Sequence, residues 1–302
     1  MKTVSLKVFV VVLVASFVFV GSTAPIRAAE PLLESATVNL YCSLKSGNKT
    51  YSSTGSGVVI DSRGIILTNA HVAQYFLLTK GTSTNRAKCA VRTGSPARAA
   101  YNASVLYIPS SWVKESVAKK RSESNRGTGE GDYALLVIDN KNNVSFPSLP
   151  LDTTTHNLEN ASVRIAGYPA EDLTFDSVRS KLQQSTATST VTSVLSFADK
   201  QPDMLALTAS PINRAGVSGG PVVRATGELV AIAATTSQGA DKDKRTLRAI
   251  TLSHIDRSLE STMGTPLLSL LSEDLATRLA ATQKAFSTGL RRSIADTLKG
   301  KR

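Results

Sequence analysis

A chain of 302 residues has room for one large domain or two medium ones plus an appendage. Its apolar fraction of 41% and charged fraction of 19% exclude an intrinsically disordered chain. The net charge of +12 favours anionic partners, but a solvated basic surface is the simpler reading, and nucleic acid is not inferred as a partner.

Lys2 and Lys7 bracket a short polar start, and an apolar run, VFVVVLVASFVFV, follows from Val8 to Val20. A membrane-spanning helix needs about 20 apolar residues, so residues 1–29 are read as a signal peptide, with an uncleaved N-terminal anchor as the alternative. Small residues allow cleavage after Ala24, where Pro25 disfavours it, or after Ala28 or Ala29. Either way the chain is expected to be exported, to a periplasm, a cell envelope or the medium. In such an oxidising compartment Cys42 and Cys89 read as one disulfide, with two buried thiols as the alternative. They are too few and too far apart for a metal site, and no metal or organic cofactor is expected. Sequons at Asn48, Asn102, Asn143 and Asn160 matter only in a glycosylating host.

Short β-branched runs then succeed one another: GVVI (57–60), GIILT (64–68), YALLVI (133–138), SVRIAGY (162–168), MLALT (204–208), PVV (221–223) and ELVAIAATT (228–236). Asp61-Ser62-Arg63-Gly64 and Thr226-Gly227 have hairpin-turn composition. Many short strands with turns between them predict an all-β barrel or sandwich. Residues 114–131, charged and glycine-rich, are expected to form a mobile surface loop. Within and beside them, SWVK (111–114) and SVAK (116–119) match S-x-x-K, a motif that needs partners such as KTG and a helical setting; the partners are missing, and the matches are read as chance. From Pro266 onward, Leu268, Leu271, Leu275, Leu279, Phe286, Leu290, Ile294 and Leu298 recur at helical spacings, predicting a basic amphipathic C-terminal helix. Packing on its own protein is the favoured role for this helix; contact with a membrane surface and self-association into an oligomer are the alternatives.

The stretch INRAGVSGGPVV (212–223) holds a serine in a glycine-rich setting. Peptide hydrolysis by a serine needs a base, a carboxylate that orients the base, and backbone donors for the oxyanion. The candidate base is His71, where the strand ending in Leu67-Thr68 runs into Asn69-Ala70-His71. His156, in a polar loop, and His254, before a predicted helix, have no comparable setting. The candidate carboxylate is Asp132, at the entrance of the apolar strand YALLVI. GVSGG also matches the G-x-S-x-G elbow of α/β-hydrolases, with Asp241 or Asp243 and His254 downstream. That elbow needs a helix at the serine, and Pro221 followed by the Thr226-Gly227 turn leaves no room for one.

GSGVVIDSRGIILTNAHVA, GDYALLVI, SVRIAGYP, GVSGGPVV and TLRAITLSHI, in that order, resemble the chymotrypsin-like serine peptidases, and most closely their bacterial HtrA/Deg branch. The resemblance spans residues 36–260 and carries the triad order His, Asp, Ser. It implies a two-barrel fold: residues 30–150 as a first β-barrel with His71 and Asp132, residues 151–260 as a second with Ser218, and residues 261–302 as a helical tail. It implies an endopeptidase acting on unfolded or exposed polypeptide, with Ser218 as nucleophile, His71 as base then acid, and the N–H groups of Gly216 and Ser218 as the oxyanion hole. Ile212 and the wall Ala233-Ala234-Thr235 suggest a pocket for a small or medium apolar side chain. The family usually reads INPGNSGGP; here Arg214-Ala215 stand in place of the proline and make the loop one residue longer, and Val217 replaces the asparagine, which puts the oxyanion hole in question. The PDZ domain common in that branch is not recognised in the sequence. A catalytically silent polypeptide-binding protein of the same fold is the alternative, and a basic module for anionic polymers is a third reading that rests on charge alone.

Overall fold

Apolar runs without alternation, such as Val58-Val59-Ile60 and Leu135-Leu136-Val137-Ile138, are strands buried on both faces. The computed structural model describes residues 26–299 apart from 47, 80–85, 119–128, 155–157, 198–200, 237–240 and 287. The predicted leader up to residue 25, His156 and most of the segment 114–131 lie outside the described residues. No described helix is long and apolar enough to cross a membrane.

A first helix, α1 (Ile26–Ala36), leads into β1 (Thr37–Ser46), β2 (Lys49–Asp61) and β3 (Ile65–Thr68). After the short helix α2 (Ala70–Ala73) come β4 (Ala87–Thr93), β5 (Arg98–Tyr101), β6 (Ala103–Tyr107), helix α3 (Ser110–Ala118) and β7 (Ala134–Ile138). These strands form a half-barrel sheet in the order β5-β4-β1-β2-β3-β7-β6. The second unit comprises β8 (Ser162–Gly167), helix α4 (Phe175–Ser180), β9 (Ser185–Leu195), β10 (Met204–Leu207), β11 (Pro221–Arg224), β12 (Leu229–Thr236) and β13 (Leu247–Thr251). It closes into a barrel in the order β10-β13-β12-β11-β8-β9. Helices α5 (Leu252–Met263), α6 (Leu267–Leu271), α7 (Leu275–Ala285) and α8 (Thr288–Lys299) follow. This is the mostly-β, two-barrel chymotrypsin-like architecture with C-terminal helices that the motif order implies.

Strand alternation sorts the core. Val59, Ile66, Leu136 and Ile138 point into the first barrel, whereas Val58, Ile65, Leu67, Leu135 and Val137 point into a second cluster shared with β12 and α5. In β12, Ala231 and Ala233 face the interior of the closed barrel, while Ile232 and Ala234 join the shared cluster. The shared cluster cements the two barrels. Gly64, at φ 89°, closes the hairpin between β2 and β3, with the Arg63 N–H donating to Asp61 Oδ1 at 2.8 Å. Cys42 and Cys89 stand opposite each other on β1 and β4 and form a disulfide.

Two predicted elements differ. The segment read as a loop from residue 114 begins inside α3, whose Val113 is buried in the first core, so its apolar contacts outweigh the charged composition that follows. SWVK lies within that helix, but its partner motifs are missing from the sequence, so the match has the setting without the rest of the constellation. The tail is three helices rather than one. Asp274 caps α7 by accepting the Thr277 N–H at 2.8 Å, which restarts the chain in a new direction after α6. In α6 the buried residues are Leu267 and Leu270, while Leu268 is 55% exposed, one position out of register with the predicted face. Phe286, Ile294 and Leu298 fill the first barrel's core, and Leu271, Leu275 and Leu279 pack on the shared cluster. The tail's apolar face is thus spent on its own protein.

Candidate active site

Antiparallel pairing sets Thr68 of β3 opposite Ala134 of β7, so the end of one strand and the start of the other reach the same rim. Beyond Thr68, Asn69 takes an extended conformation and opens α2, whose first turn carries His71. Asp132 closes a tight turn in which its N–H donates to the Gly129 carbonyl at 3.0 Å. Asp132 then holds His71 at two points: Oδ2 accepts from ring Nδ1 at 2.8 Å and Oδ1 from the backbone N–H at 2.8 Å. Asn69 Nδ2 donates to the Asp132 carbonyl at 2.8 Å. With Nδ1–H committed to a carboxylate, the ring's basic lone pair falls on Nε2. The His71 side chain is 39% exposed and that of Asp132 10%, so the imidazole reaches solvent while its acid is largely shielded from water.

The loop before Ser218 is fastened residue by residue. Arg214 Nη2 bonds Asp243 Oδ1 at 2.6 Å, and buried Asn213 donates to the Arg245 and Thr208 carbonyls at 2.7 and 3.1 Å. The Ala215 N–H donates to Glu171 Oε2 at 3.2 Å, and the Ala215 carbonyl accepts the Ala170 N–H at 2.8 Å. Glu171 is itself bonded through both oxygens to Arg245 Nη1 at 2.8 Å, which chiefly holds its carboxyl below the usual range. From the first barrel, Ser56 Oγ donates to the Gly216 carbonyl at 2.8 Å and the Ser56 N–H to the Ser218 carbonyl at 2.8 Å. Thus Arg214 and Ala215, which make this loop one residue longer than the family pattern, are anchored by partners of their own.

A trans peptide points its N–H and C=O in opposite directions. Pinning the Ala215 carbonyl to Ala170 therefore turns the Gly216 N–H the other way. Among the described residues, neither the Gly216 N–H nor the Ser218 N–H donates a hydrogen bond. Gly216 adopts φ 103°, and a Cβ there would stand 2.5 Å from the Tyr168 carbonyl. Gly219, at φ 85°, lets the loop approach to where a Cβ would be 2.2 Å from Ser56 O. Ser218 Oγ donates to the Ala234 carbonyl at 3.1 Å.

The remaining predicted residues fall as follows. Ile212 and Ala233 are buried in the closed barrel's own core with Val217, and neither side chain lines an open surface. Ala234 points into the shared cluster and offers its carbonyl, not its methyl, to Ser218. The Thr235 side chain lies outside the described residues. The elbow constellation does not assemble: Asp243 pairs with Arg214, and His254 bonds Asp203 instead of an acid downstream of Ser218. Sequence reasoning missed Ser56, Asn69, Ala170 and Glu171. Ser56 sits in the quoted GSG, but nothing local announces a partner 160 residues away.

The family model for the trypsin-like peptidase domain matches residues 55–232, more than half of the chain, and the chain belongs to that family. No curated protein matches it.

Proposed function

We propose that the chain is an exported serine endopeptidase of the HtrA/Deg type, cutting unfolded or exposed polypeptide through Ser218, His71 and Asp132. The observation that carries this reading is the two-point grip of Asp132 on His71, through ring and backbone, at 2.8 Å each. Ser218 would attack the scissile carbonyl while His71 Nε2 takes its proton. The resulting oxyanion would be met by the Gly216 and Ser218 N–H groups, whose carbonyl neighbours are anchored elsewhere. His71 would then return the proton to the leaving amine, and a water would repeat the sequence on the acyl-enzyme. A donor of this kind is worth about 10²–10³ in turnover. Export is supported by the apolar leader and by the Cys42–Cys89 disulfide. Residues 212–217 carry no acid that would attract Lys or Arg, which supports the proposed cleavage after small or medium apolar residues; dominant cutting after Arg in a peptide-library profile would contradict it.

A fluorophosphonate probe tests the reaction class. Wild type is expected to label, and Ser218→Ala and His71→Ala are not. One observation favours the silent-binder alternative: the Ser218 hydroxyl donates to the Ala234 carbonyl. Absence of labelling, with unfolded polypeptide present, would select that alternative.

A further inference from the structure

The turn that carries Asp132 is gripped from the second barrel's side. His254 lies in the first turn of α5, where the cap Thr251 Oγ1 accepts its N–H at 3.1 Å, and it is 6% exposed. Ring Nδ1 bonds Asp203 Oδ1 at 2.9 Å, and Nε2 bonds the Glu130 carbonyl at 2.8 Å, two residues before Asp132. Asp203 also accepts from Arg257 Nη2 at 2.6 Å and from the Phe197 N–H at 2.8 Å, and the Phe197 ring meets the imidazole edge-on. A carbonyl oxygen only accepts, so Nε2 carries a proton; a carboxylate ringed by donors likewise accepts from Nδ1–H. Gly129 and Gly131 flank Glu130, and glycines have the most backbone freedom to lose, so a tether from outside narrows the conformations left open by the turn's own bonds.

We propose that His254 is a positioning residue for the triad acid. Its Nε2–H fixes the Glu130 carbonyl, and through the two following peptide units it fixes where Asp132 stands against His71. The inference rests on the peptidase reading above. It gives the second His–Asp pair a role that filling space does not account for, because an apolar side chain could fill the same volume without addressing the turn.

Two substitutions separate positioning from stability. Asparagine places an amide donor near the Nδ1 position, keeping the Asp203 bond and cutting the tether to Glu130. Glutamine places its donor near Nε2, keeping the tether and losing Asp203. His254→Asn is expected to melt near wild type but to react with a fluorophosphonate about tenfold more slowly, the loss set by misplacement of a catalytic group. His254→Gln is expected to melt lower and react within about threefold of wild type, the tether being kept. A wild-type rate in His254→Asn, or an equal slowing in both variants, would overturn the proposal. Should His254→Asn fail to fold, the rate of His254→Gln decides alone. If wild type itself does not label, the peptidase reading fails separately. The tether is then read from the low-field proton resonance of His71 Nδ1–H on Asp132, expected to move in His254→Asn and to stay in His254→Gln; the reverse pattern would sink the tether as well.

Discussion

Ser56→Ala removes a single oxygen from the seam between the barrels. That oxygen donates to the Gly216 carbonyl at 2.8 Å and accepts the Tyr168 N–H at 2.9 Å, in a residue with no exposed surface. Its loss leaves two buried backbone groups unpaired, at about 1–3 kcal/mol apiece, or about 2–6 kcal/mol together. For a unit of this size the melting temperature should fall by about 4–24 °C, at about 2–4 °C per kcal/mol. Function should suffer alongside stability, because Gly216 loses the contact that fixes its carbonyl and, through it, the adjoining N–H groups. If about 1.4 kcal/mol of the loss falls on the reactive loop conformation, fluorophosphonate labelling slows about tenfold. Thermal melts and labelling progress curves measure the two effects on one preparation. Thr50→Ala, at an exposed position of the same strand, is the control and should stay within about 0.5 kcal/mol of wild type. A Ser56→Ala protein that melts within about 1 °C of wild type and labels at the same rate would refute the reasoning.

Glu171→Ala frees the Ala215 N–H and the Arg245 guanidinium. Because the pair is partly exposed, stability should change by less than about 1 kcal/mol, while the labelling rate falls about three- to tenfold; the two are read by melts and progress curves. Replacing both Cys42 and Cys89 by serine opens a loop of 47 residues, and chain entropy sets the expected loss near about 4 kcal/mol, read from urea denaturation. Burial alone would raise the Asp203 carboxyl, but the Phe197 N–H, His254 and Arg257 hold it below its usual range. Its stabilising contribution is therefore complete above the unfolded carboxylate pKa and is lost as pH falls through the lower folded one. Asp203→Asn should flatten that acid limb in melts taken from about pH 7 to about pH 3; an unchanged limb would contradict the assignment.

The residues legible in the sequence were those whose surroundings are local. His71 and Asp132 each sit at the end of an apolar strand, and Ser218 in a glycine turn between strands, so short motifs marked all three as candidates. Ser56, Glu171 and His254 act on backbone atoms far along the chain, and a serine or glutamate in a polar stretch carries no mark of that. Strand β9, Ser185–Leu195, escaped notice because its alternation is built largely from serine and threonine, not from apolar residues. The tail misled for a different reason. Its leucines keep helical spacing across Asp274, yet they serve two separate cores, and spacing alone does not reveal a cap that breaks the helix between them. Ile212 and Ala233 were read as pocket wall by their distance from the serine, whereas strand alternation and barrel closure turn them inward.

Ser56, His71 and Asp132 precede the second barrel in the chain, Ser218 lies within it, and His254 comes only after its last strand. A ribosome delivers these groups in that order. A chain released before residue 254 carries Ser218 and Asp132, but lacks the ring that bonds the Glu130 carbonyl in the turn before Asp132. On the peptidase reading proposed above, the turn that carries Asp132 gains its bond from His254 only once α5 has been made, after every strand of both barrels.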